Sequence, residues 1–326
     1  MNITIVYFGN IPSLNYGGTQ RVIWYLGKEL TLLGYKITYL VNQGSYCDFA
    51  NVKFIDNSKS IVDQIPNNTD IVHFHNQPKG IDNIKFPYVI TTHGNSKEEL
   101  DINTIFVSKN HANRYNSSSF VYNGLDWNDY SKPTFKKENY VHFLGKAAWR
   151  VKNVKGAINV VRKVKNQHLK VLGGHRFNFK MGIRFTLTSK VSFYGMVGGT
   201  QKDNFLNKSK GLIFPVLWNE PFGLAIIESL YFGCPVFGTP YGSLPELVNT
   251  EVGVLSNKKS ELVNALNNIE VFNTKNCHNY ALENFNSKKM AKDYLVYYEK
   301  ALNNKKININ KPKLLDEEPK FLPWNN

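Results

Sequence analysis

Short runs of β-branched and aromatic residues alternate with helical patterns in the first part of the chain. A strand is predicted at ITIVYF (3–8), and a helix follows it near 19–33. This alternation is typical of a parallel sheet that is covered by helices on both faces. The further strands predicted in this part are KITYLV (36–41), VKFI (52–55), IVHFH (71–75), YVITTH (88–93) and TIFVS (104–108).

The same alternation restarts after residue 137. Because 326 residues exceed what one core usually supports, two domains are expected. The predicted fold class is α/β, with two Rossmann-like doubly wound domains facing each other across a cleft. The strands predicted in the second domain are YVHFLG (140–145), LKVLGG (169–174), VSFYG (191–195), GLIFPV (211–216) and PVFGT (235–239).

The predicted boundaries follow from this pattern. The first domain covers 1–137 and the second covers 138–286. A C-terminal helix at 287–304 is a candidate for crossing back to the first domain, and an irregular tail follows at 305–326. Ligands of open α/β sheets bind beyond the carboxyl ends of the strands, so chemistry is expected between the two domains.

Cysteine spacing and hydropathy narrow the class of protein. The three cysteines lie far apart, which predicts neither a disulfide framework nor a zinc site and favours a reducing compartment. The apolar run at the amino terminus is too short for a signal peptide. No run approaches the roughly 18 apolar residues of a membrane-spanning helix, so any membrane contact is expected to be peripheral.

The net charge of +15 is concentrated in the second half of the chain, where 139–202 holds 13 basic residues and no acidic residue. Solvated lysines on helix faces explain much of this charge. A field of this sign would also attract nucleotide diphosphates, acidic lipids or nucleic acid.

The segment NEPFGLAIIE (219–228) contains two acids around a predicted helix start at Pro221. The amides of Phe222, Gly223 and Leu224 would then be free to bind an anion. Glu228 lies on an apolar helix, where a carboxylate needs a hydrogen-bonding partner. Taken alone, the pattern fits a capping acid at Glu220 and a partly exposed Glu228 at least as well as a binding site.

Two glutamates separated by seven residues, with Pro-Phe-Gly among them, resemble the signature of retaining nucleotide-sugar glycosyltransferases of the GT-B fold. This is the "group 1" family, also called glycosyltransferase family 4. Further motifs in the family's order extend the resemblance over roughly residues 3–300. They are YGGTQR (16–21), THG (92–94), VS (107–108), YNGLD (122–126) and GSLPE (242–246).

The resemblance implies roles for individual residues. Glu228 would hold the ribose hydroxyls of a nucleotide, and Glu220 would be a catalytic residue against the transferred sugar. The glycines Gly17 and Gly18 would let the backbone approach the diphosphate. His93, at the end of a predicted strand, would be a catalytic residue near the acceptor and the donor sugar.

The segment GKAAWRVKNVKG (145–156) resembles the family's Gly-Arg loop followed by Lys-Gly. Lys146 stands where arginine is usual. The longer loop leaves Lys152 and Lys155 as rival phosphate-binding residues, and Gly156 favours Lys155. No D-x-D pair or metal-spaced cluster occurs, so no metal or other cofactor is expected, and lysine charge with helix amides would stabilise the leaving diphosphate.

The predicted function is transfer of a hexose-type sugar from a UDP- or GDP-sugar to a glycan or lipid-linked acceptor, with retention of configuration. Bacterial surface polysaccharide or lipopolysaccharide biosynthesis is the expected setting. The expected location is the cytoplasm or the inner face of the membrane, where the basic surface suits peripheral contact with anionic lipids.

Four other functions are alternatives to this one. The main alternative is a catalytically inactive GT-B protein that binds sugar nucleotides, because fold does not guarantee chemistry. A phosphorylase of the same architecture would be a longer chain. A nucleic-acid-binding protein would need a basic platform with interleaved aromatic residues, and none is found. An oxidoreductase would need G-x-G-x-x-G after a strand, which is absent.

Overall fold

The computed structural model describes residues 1–13, 17–178 and 184–325. The chain forms two compact units within these residues. Unit 1 contains 1–13, 17–126 and 285–317, and unit 2 contains 127–284 and 318–325. Each unit is built around its own sheet.

Unit 1 contains a six-stranded parallel sheet in the order β3-β2-β1-β4-β5-β6. This order is typical of doubly wound nucleotide-binding folds. The strands are β1 (Asn2–Tyr7), β2 (Lys36–Val41), β3 (Asn51–Phe54), β4 (Ile71–Phe74), β5 (Tyr88–Thr91) and β6 (Thr104–Ile105). The α-helices are α1 (Gly18–Leu32), α2 (Lys109–Arg114) and α9 (Ser287–Leu302).

Unit 2 repeats this arrangement in the order β11-β8-β7-β12-β13-β14, again with parallel pairing. Its strands are β7 (Tyr140–Leu144), β8 (His168–Leu172), β11 (Val191–Phe193), β12 (Leu212–Phe214), β13 (Val236–Gly238) and β14 (Gly253–Leu255). Between β8 and β11 lie the two short antiparallel strands β9 (Phe177–Asn178) and β10 (Arg184–Phe185). Its α-helices are α3 (Val154–Lys163), α4 (Gly199–Lys208), α5 (Leu224–Tyr231), α6 (Leu244–Leu247), α7 (Lys259–Asn267) and α8 (Thr274–Asn284).

These sheets confirm the predicted α/β class with two doubly wound domains. Every strand predicted from the sequence is present, although several are shorter than predicted. Strand β14 and the β9–β10 pair were not predicted, because each is too short for a hydrophobic period to be recognised. Gly253 starts β14 where a Cβ atom would lie 2.1 Å from the Val236 carbonyl oxygen, so close strand pairing requires glycine there.

Helix α9 packs against unit 1 through a buried tyrosine face, although it lies far along the chain. The Tyr298 hydroxyl is 2.7 Å from His73 Nδ1, and the Thr91 hydroxyl is 3.0 Å from the Tyr294 hydroxyl. His73 also contacts Thr91 through Nε2 at 2.8 Å. His73 is therefore a buried structural residue with both ring nitrogens bonded.

Candidate functional site

Glu220 lies in the irregular segment after β12, and only 6% of the residue is exposed. Its Oε2 accepts hydrogen bonds from Lys152 Nζ at 2.5 Å and from Trp218 Nε1 at 2.8 Å. The other oxygen, Oε1, has no hydrogen-bond partner within the described part of the chain. A nearby ammonium offsets part of the cost of burying the carboxylate. The carboxylate is thus held in one orientation with one oxygen available.

The backbone of Glu220 is supported by the GSLPE motif. The Ser243 amide donates to the Glu220 carbonyl at 2.9 Å, and the Ser243 hydroxyl donates to the Phe222 carbonyl at 2.6 Å. Gly242 has a φ of +62°, and a Cβ atom there would lie 2.2 Å from the Glu220 nitrogen. Two motifs that are separate in sequence therefore form one packed loop pair, and glycine is required at 242.

Lys152 ends a short 3-10 turn, Arg150–Lys152, that precedes α3. Its ammonium lies 5.0 Å from the centre of the Trp218 ring and 5.3 Å from that of the Phe214 ring, within the range of cation–π attraction. Lys155 is exposed on the first turn of α3. The structure thus places Lys152 beside Glu220 and leaves Lys155 in solvent.

Gly156, which favoured Lys155 in the sequence, has a different explanation. Asn153 caps α3, and its Oδ1 accepts a hydrogen bond from the Gly156 amide at 2.9 Å. A Cβ atom on Gly156 would lie 2.3 Å from Asn153 Nδ2. The Asn153 side-chain nitrogen Nδ2 donates a hydrogen bond to the Pro215 carbonyl at 2.9 Å, and this bond links the start of α3 to the segment after β12. The glycine therefore serves the helix cap, and phosphate binding by either lysine stays a prediction.

Lys146 follows β7 and is exposed, with its ammonium 5.1 Å from the centre of the Trp149 ring. Beside it, Gly145 and Gly173 follow the carboxyl ends of β7 and β8. A Cβ atom on Gly173 would lie 2.0 Å from the Gly145 carbonyl oxygen, so these two segments approach each other closely. Lys146 is consequently placed at the edge of the sheet where ligands of this fold bind.

The helix that carries Glu228 begins later than predicted. Helix α5 starts at Leu224, not at Pro221, because Gly223 adopts φ +91° and ψ +70°, which is outside the right-handed helical region. Neither the Gly223 nor the Leu224 amide donates a hydrogen bond within residues 1–13, 17–178 and 184–325. Free amides are therefore present at 223 and 224, as expected for an anion site. Phe222 is buried just before them.

Glu228 is 2% exposed and lies in the first turns of α5. The prediction that it needs a partner is confirmed: its carboxylate forms a buried ion pair with Lys202, and Oε1 accepts a hydrogen bond from the Tyr130 hydroxyl at 2.9 Å. Lys202 was not singled out in the sequence, because it is one of many lysines in a basic stretch. Binding of ribose by Glu228 stays a prediction.

In unit 1, Gly17 precedes α1 and Gly18 begins it. The backbone at Gly17 is extended, no side chain caps the helix, and no acidic residue occupies its first turn. The first backbone amides of α1 can therefore donate hydrogen bonds to an anionic ligand. Tyr16, the first residue of the YGGTQR motif, lies outside the described residues.

His93 follows β5 and is half-buried. Its Nε2 is 2.9 Å from Nδ1 of His75, whose ring in turn packs against His73 with ring centres 4.1 Å apart. His75 is 2% exposed, and its Nε2 has no hydrogen-bond partner among the residues that the structure describes. His93 and His75 thus form a linked pair in which one ring donates and the other accepts.

This histidine pair lines a cavity of about 560 Å³ at the carboxyl ends of the unit 1 strands. Most of the residues that line it have polar side chains, although the wall surface is about equally polar and apolar, and they include Tyr7 at the end of β1 and Thr19 in the first turn of α1. Gly94 also lines the cavity, and a Cβ atom there would meet no atom within 4 Å. The remaining polar side chains at this cavity are Asn76, Gln77, Lys79, Thr91, Thr92, Asn95, Ser96, Glu98 and Thr104.

Burial lowers the pKa of His93 to about 4, and it lowers the pKa of His75 well below the usual value. Both rings are therefore neutral at pH 7. A neutral imidazole can donate and accept hydrogen bonds but cannot supply a positive charge. A pKa this far below neutrality also makes His93 a weak general base.

Within the described ranges the structure holds neither a metal-binding cluster nor a membrane-spanning helix. No three His, Cys, Asp or Glu side chains there are arranged so that they could hold a metal ion. None of the helices in these ranges combines the length and the hydropathy needed to cross a bilayer.

Residues 127–281 match the family described as Glycosyl transferases group 1. This match spans the Lys152 turn, the Glu220 loop and the Glu228 helix. The protein contains a group 1 glycosyltransferase domain. No curated protein matches the chain in sequence.

Solved structures of the GT-B fold are similar to the chain over residues of both units. AviGT4, a glycosyltransferase involved in avilamycin A biosynthesis, has a TM-score of 0.72 at 17% identity, over 93% of this chain and 98% of its own. Sucrose-phosphate synthase from Thermosynechococcus elongatus has a TM-score of 0.71 at 15% identity, over 93% and 99%. HepE from Anabaena in complex with UDP and glucose has a TM-score of 0.67 at 14% identity, over 92% and 99%. At these identities the likeness establishes the fold alone.

Proposed function

We propose that the protein is a retaining glycosyltransferase that moves a hexose-type sugar from a UDP- or GDP-sugar to a glycan or lipid-linked acceptor. The observation that carries this proposal is the Glu220 loop of the group 1 domain. It combines a buried carboxylate, oriented by Lys152 and Trp218, with the free amides of Gly223 and Leu224. Such a loop can hold a sugar and an anion side by side.

In this proposal Glu220 holds the hydroxyls of the transferred sugar through Oε1 and stabilises positive charge that develops at the anomeric carbon. Its bonds to Lys152 and Trp218 fix the oxygen before the substrate arrives, which is the condition for strong electrostatic stabilisation. The amides at the start of α5 and Lys146 would bind the diphosphate. The charge of these groups would replace a metal, and we expect turnover to survive a chelator.

We assign the acceptor to the cavity of unit 1. Its walls of amides, hydroxyls and neutral histidines match the hydroxyls of a glycan better than a lipid chain. His93 would orient the acceptor or the sugar by hydrogen bonding, since its low pKa disfavours proton abstraction.

The decisive test is Glu220→Gln, which keeps the size of the side chain and removes its charge. We expect kcat to fall by about 10²–10³-fold while nucleotide binding, measured by calorimetry, is retained. Glu251→Gln, at an exposed glutamate, is the matched control and should have wild-type turnover. Unchanged kcat in Glu220→Gln would remove the central residue from the proposal.

The donor can be identified by thermal shift with UDP-, GDP- and ADP-sugars, because a ligand that binds only the folded state raises Tm. The bound UDP and glucose of HepE favour UDP-glucose as the first compound to test. Retention is tested by NMR of the product, where an inverted anomeric signal would contradict the proposed stereochemistry.

The acceptor cavity is tested by Gly94→Val. A Cβ atom at residue 94 would meet no atom within 4 Å and the methyl groups would extend from it, so we expect an unchanged Tm. The added side chain would occupy the cavity, so the KM for the acceptor should rise at least tenfold while donor binding stays the same. A normal acceptor KM would place the acceptor elsewhere.

We also propose that the protein acts on the cytoplasmic side of the membrane in surface polysaccharide or lipopolysaccharide biosynthesis. The net charge of +15 would promote peripheral binding to anionic lipids. Sedimentation with anionic vesicles at low salt tests this attachment, with neutral vesicles as the control. Equal recovery in both supernatants would contradict it.

A further inference from the structure

After α9 the chain adds a segment to unit 1 and then returns to unit 2, where residues 318–325 lie against the Glu220 loop. This terminal segment contains FLPW (321–324), an apolar run in a tail otherwise rich in lysine, asparagine and proline. Such a run needs a surface on which to bury its side chains. Trp324 packs against the core cluster of unit 2 and anchors the segment there.

We propose that residues 318–325 are a positioning segment that holds the Glu220 loop in its binding geometry. The inference rests on the proposed function of that loop. The segment is bonded to the Leu217 backbone, shortly before Glu220, and to the side-chain hydroxyl of Tyr241, which precedes the residues that pack on Glu220. Leu217 and Tyr241 are not assigned to the donor, so the role inferred for the segment is indirect.

The first contact is a backbone hydrogen bond. The Leu322 amide donates to the Leu217 carbonyl at 2.7 Å, and the Leu217 amide donates to the Val151 carbonyl at 2.7 Å. Leu217 is therefore bonded on one side to the terminal segment and on the other to the turn that carries Lys152. Displacement of residue 322 would loosen the loop whose next residues are Trp218 and Glu220.

The second contact holds the opposite side of the loop. The Tyr241 hydroxyl donates to the Pro323 carbonyl at 2.5 Å. Tyr241 is followed by Gly242, which packs on the backbone of Glu220, and by Ser243, whose amide donates to the Glu220 carbonyl. The bond from Tyr241 to Pro323 therefore also limits the movement of the residues that hold the backbone of Glu220 in place.

Two further interactions keep the segment in register. Asn325 pairs with residues around the start of α7: its amide donates to the Asn257 carbonyl, and its carbonyl accepts from the Lys259 amide, both at 2.8 Å. At the other end, the Arg150 guanidinium lies 5.0 Å from the centre of the Phe321 ring. The segment is thus fixed at both ends with its centre bonded to the loop.

The test compares two substitutions at one position. Leu322→Pro removes the amide that donates to Leu217, whereas Leu322→Ala keeps it and removes the side chain. Hydrogen exchange followed by mass spectrometry is measured over 215–222, with β8 as an internal reference. Since one ordinary hydrogen bond is lost, we expect about fivefold to tenfold faster exchange over 215–222 in Leu322→Pro and no change in β8.

The kinetic measurement asks whether kcat changes while the KM for the acceptor does not. We expect kcat to fall about fivefold to tenfold in Leu322→Pro, with the acceptor KM unchanged, and to stay near wild type in Leu322→Ala. Tyr241→Phe, which removes the bond to Pro323, should produce a smaller change in the same direction.

Three outcomes would overturn the inference. They are equal exchange in Leu322→Pro and Leu322→Ala, faster exchange throughout unit 2, and faster exchange over 215–222 with unchanged kcat. Failure of the proposed function is distinguishable, because wild-type protein would then transfer no sugar from any donor. The exchange comparison does not depend on turnover.

Discussion

The ion pair between Lys152 and Glu220 allows a prediction that also separates the two candidate lysines. The side chains of the pair are 13% and 8% exposed, and their atoms are 2.5 Å apart. Lys152→Met removes the charge and keeps much of the length, so Glu220 would remain buried with only Trp218 bonded to it. Breaking a largely buried pair on one side costs about 3–5 kcal/mol.

The bond to Trp218 remains, so we take the lower end of this range, about 3 kcal/mol. For a unit of about 150–250 residues, 1 kcal/mol corresponds to about 2–4 °C in Tm, which gives a decrease of about 6–12 °C. Lys155→Met is the matched control. Because Lys155 is exposed, we expect a change within about 0.5 kcal/mol, or less than about 2 °C.

The Tm values of both variants are measured by scanning calorimetry at low salt and at 0.15 M salt. The decrease for Lys152→Met should change little with salt, since buried pairs are weakly screened. Adding Glu220→Gln to Lys152→Met should restore part of the Tm, because the unpaired charge is then removed. Equal Tm values for Lys152→Met and Lys155→Met would refute the reasoning.

Three further predictions concern unit 2. Lys202→Met should lower the free energy of unfolding by about 3–5 kcal/mol, because it removes the ammonium that is paired with the buried Glu228 carboxylate. The control Lys208→Met, at a half-exposed lysine, should change this free energy by less than about 1 kcal/mol. Denaturant titration compares the two variants, and similar midpoints would contradict the prediction. Burial lowers the pKa of His142 to about 3, below the unfolded value near 6.5, so its contribution to stability is present above pH 6.5 and is lost as pH falls toward 3. Between pH 7 and pH 5 the free energy of unfolding of wild type should therefore fall by about 2 kcal/mol more than that of His142→Asn. Parallel plots of this free energy against pH for the two proteins would exclude His142 as the cause. Gly242→Ala should destabilise the protein by about 2 kcal/mol or more and abolish transfer, because its Cβ would overlap the backbone of the Glu220 loop at a positive φ; wild-type Tm and turnover would show that the loop can adapt.

Local periodicity was sufficient to predict the fold. Strand YVHFLG is buried over 140–144 and KITYLV (36–41) over most of its length, so most residues in them are apolar and the pattern is clear. The start of α5 was predicted incorrectly at Pro221. The rule that proline suits the first helical position is local, and the left-handed Gly223 that follows overrides it.

The sequence by itself determined the two α/β domains, the segment that holds Glu220 and Glu228, and the need of Glu228 for a partner. Each of these features depends on residues that lie close together along the chain. Only the tertiary structure decided which lysine meets which glutamate: Lys152 reaches Glu220, and Lys202 reaches Glu228 from another helix. It also decided that residues 318–325 support the Glu220 loop. These contacts join residues 26 to more than 100 positions apart, and many exposed lysines have the same local sequence character, so no local pattern could distinguish the buried ones.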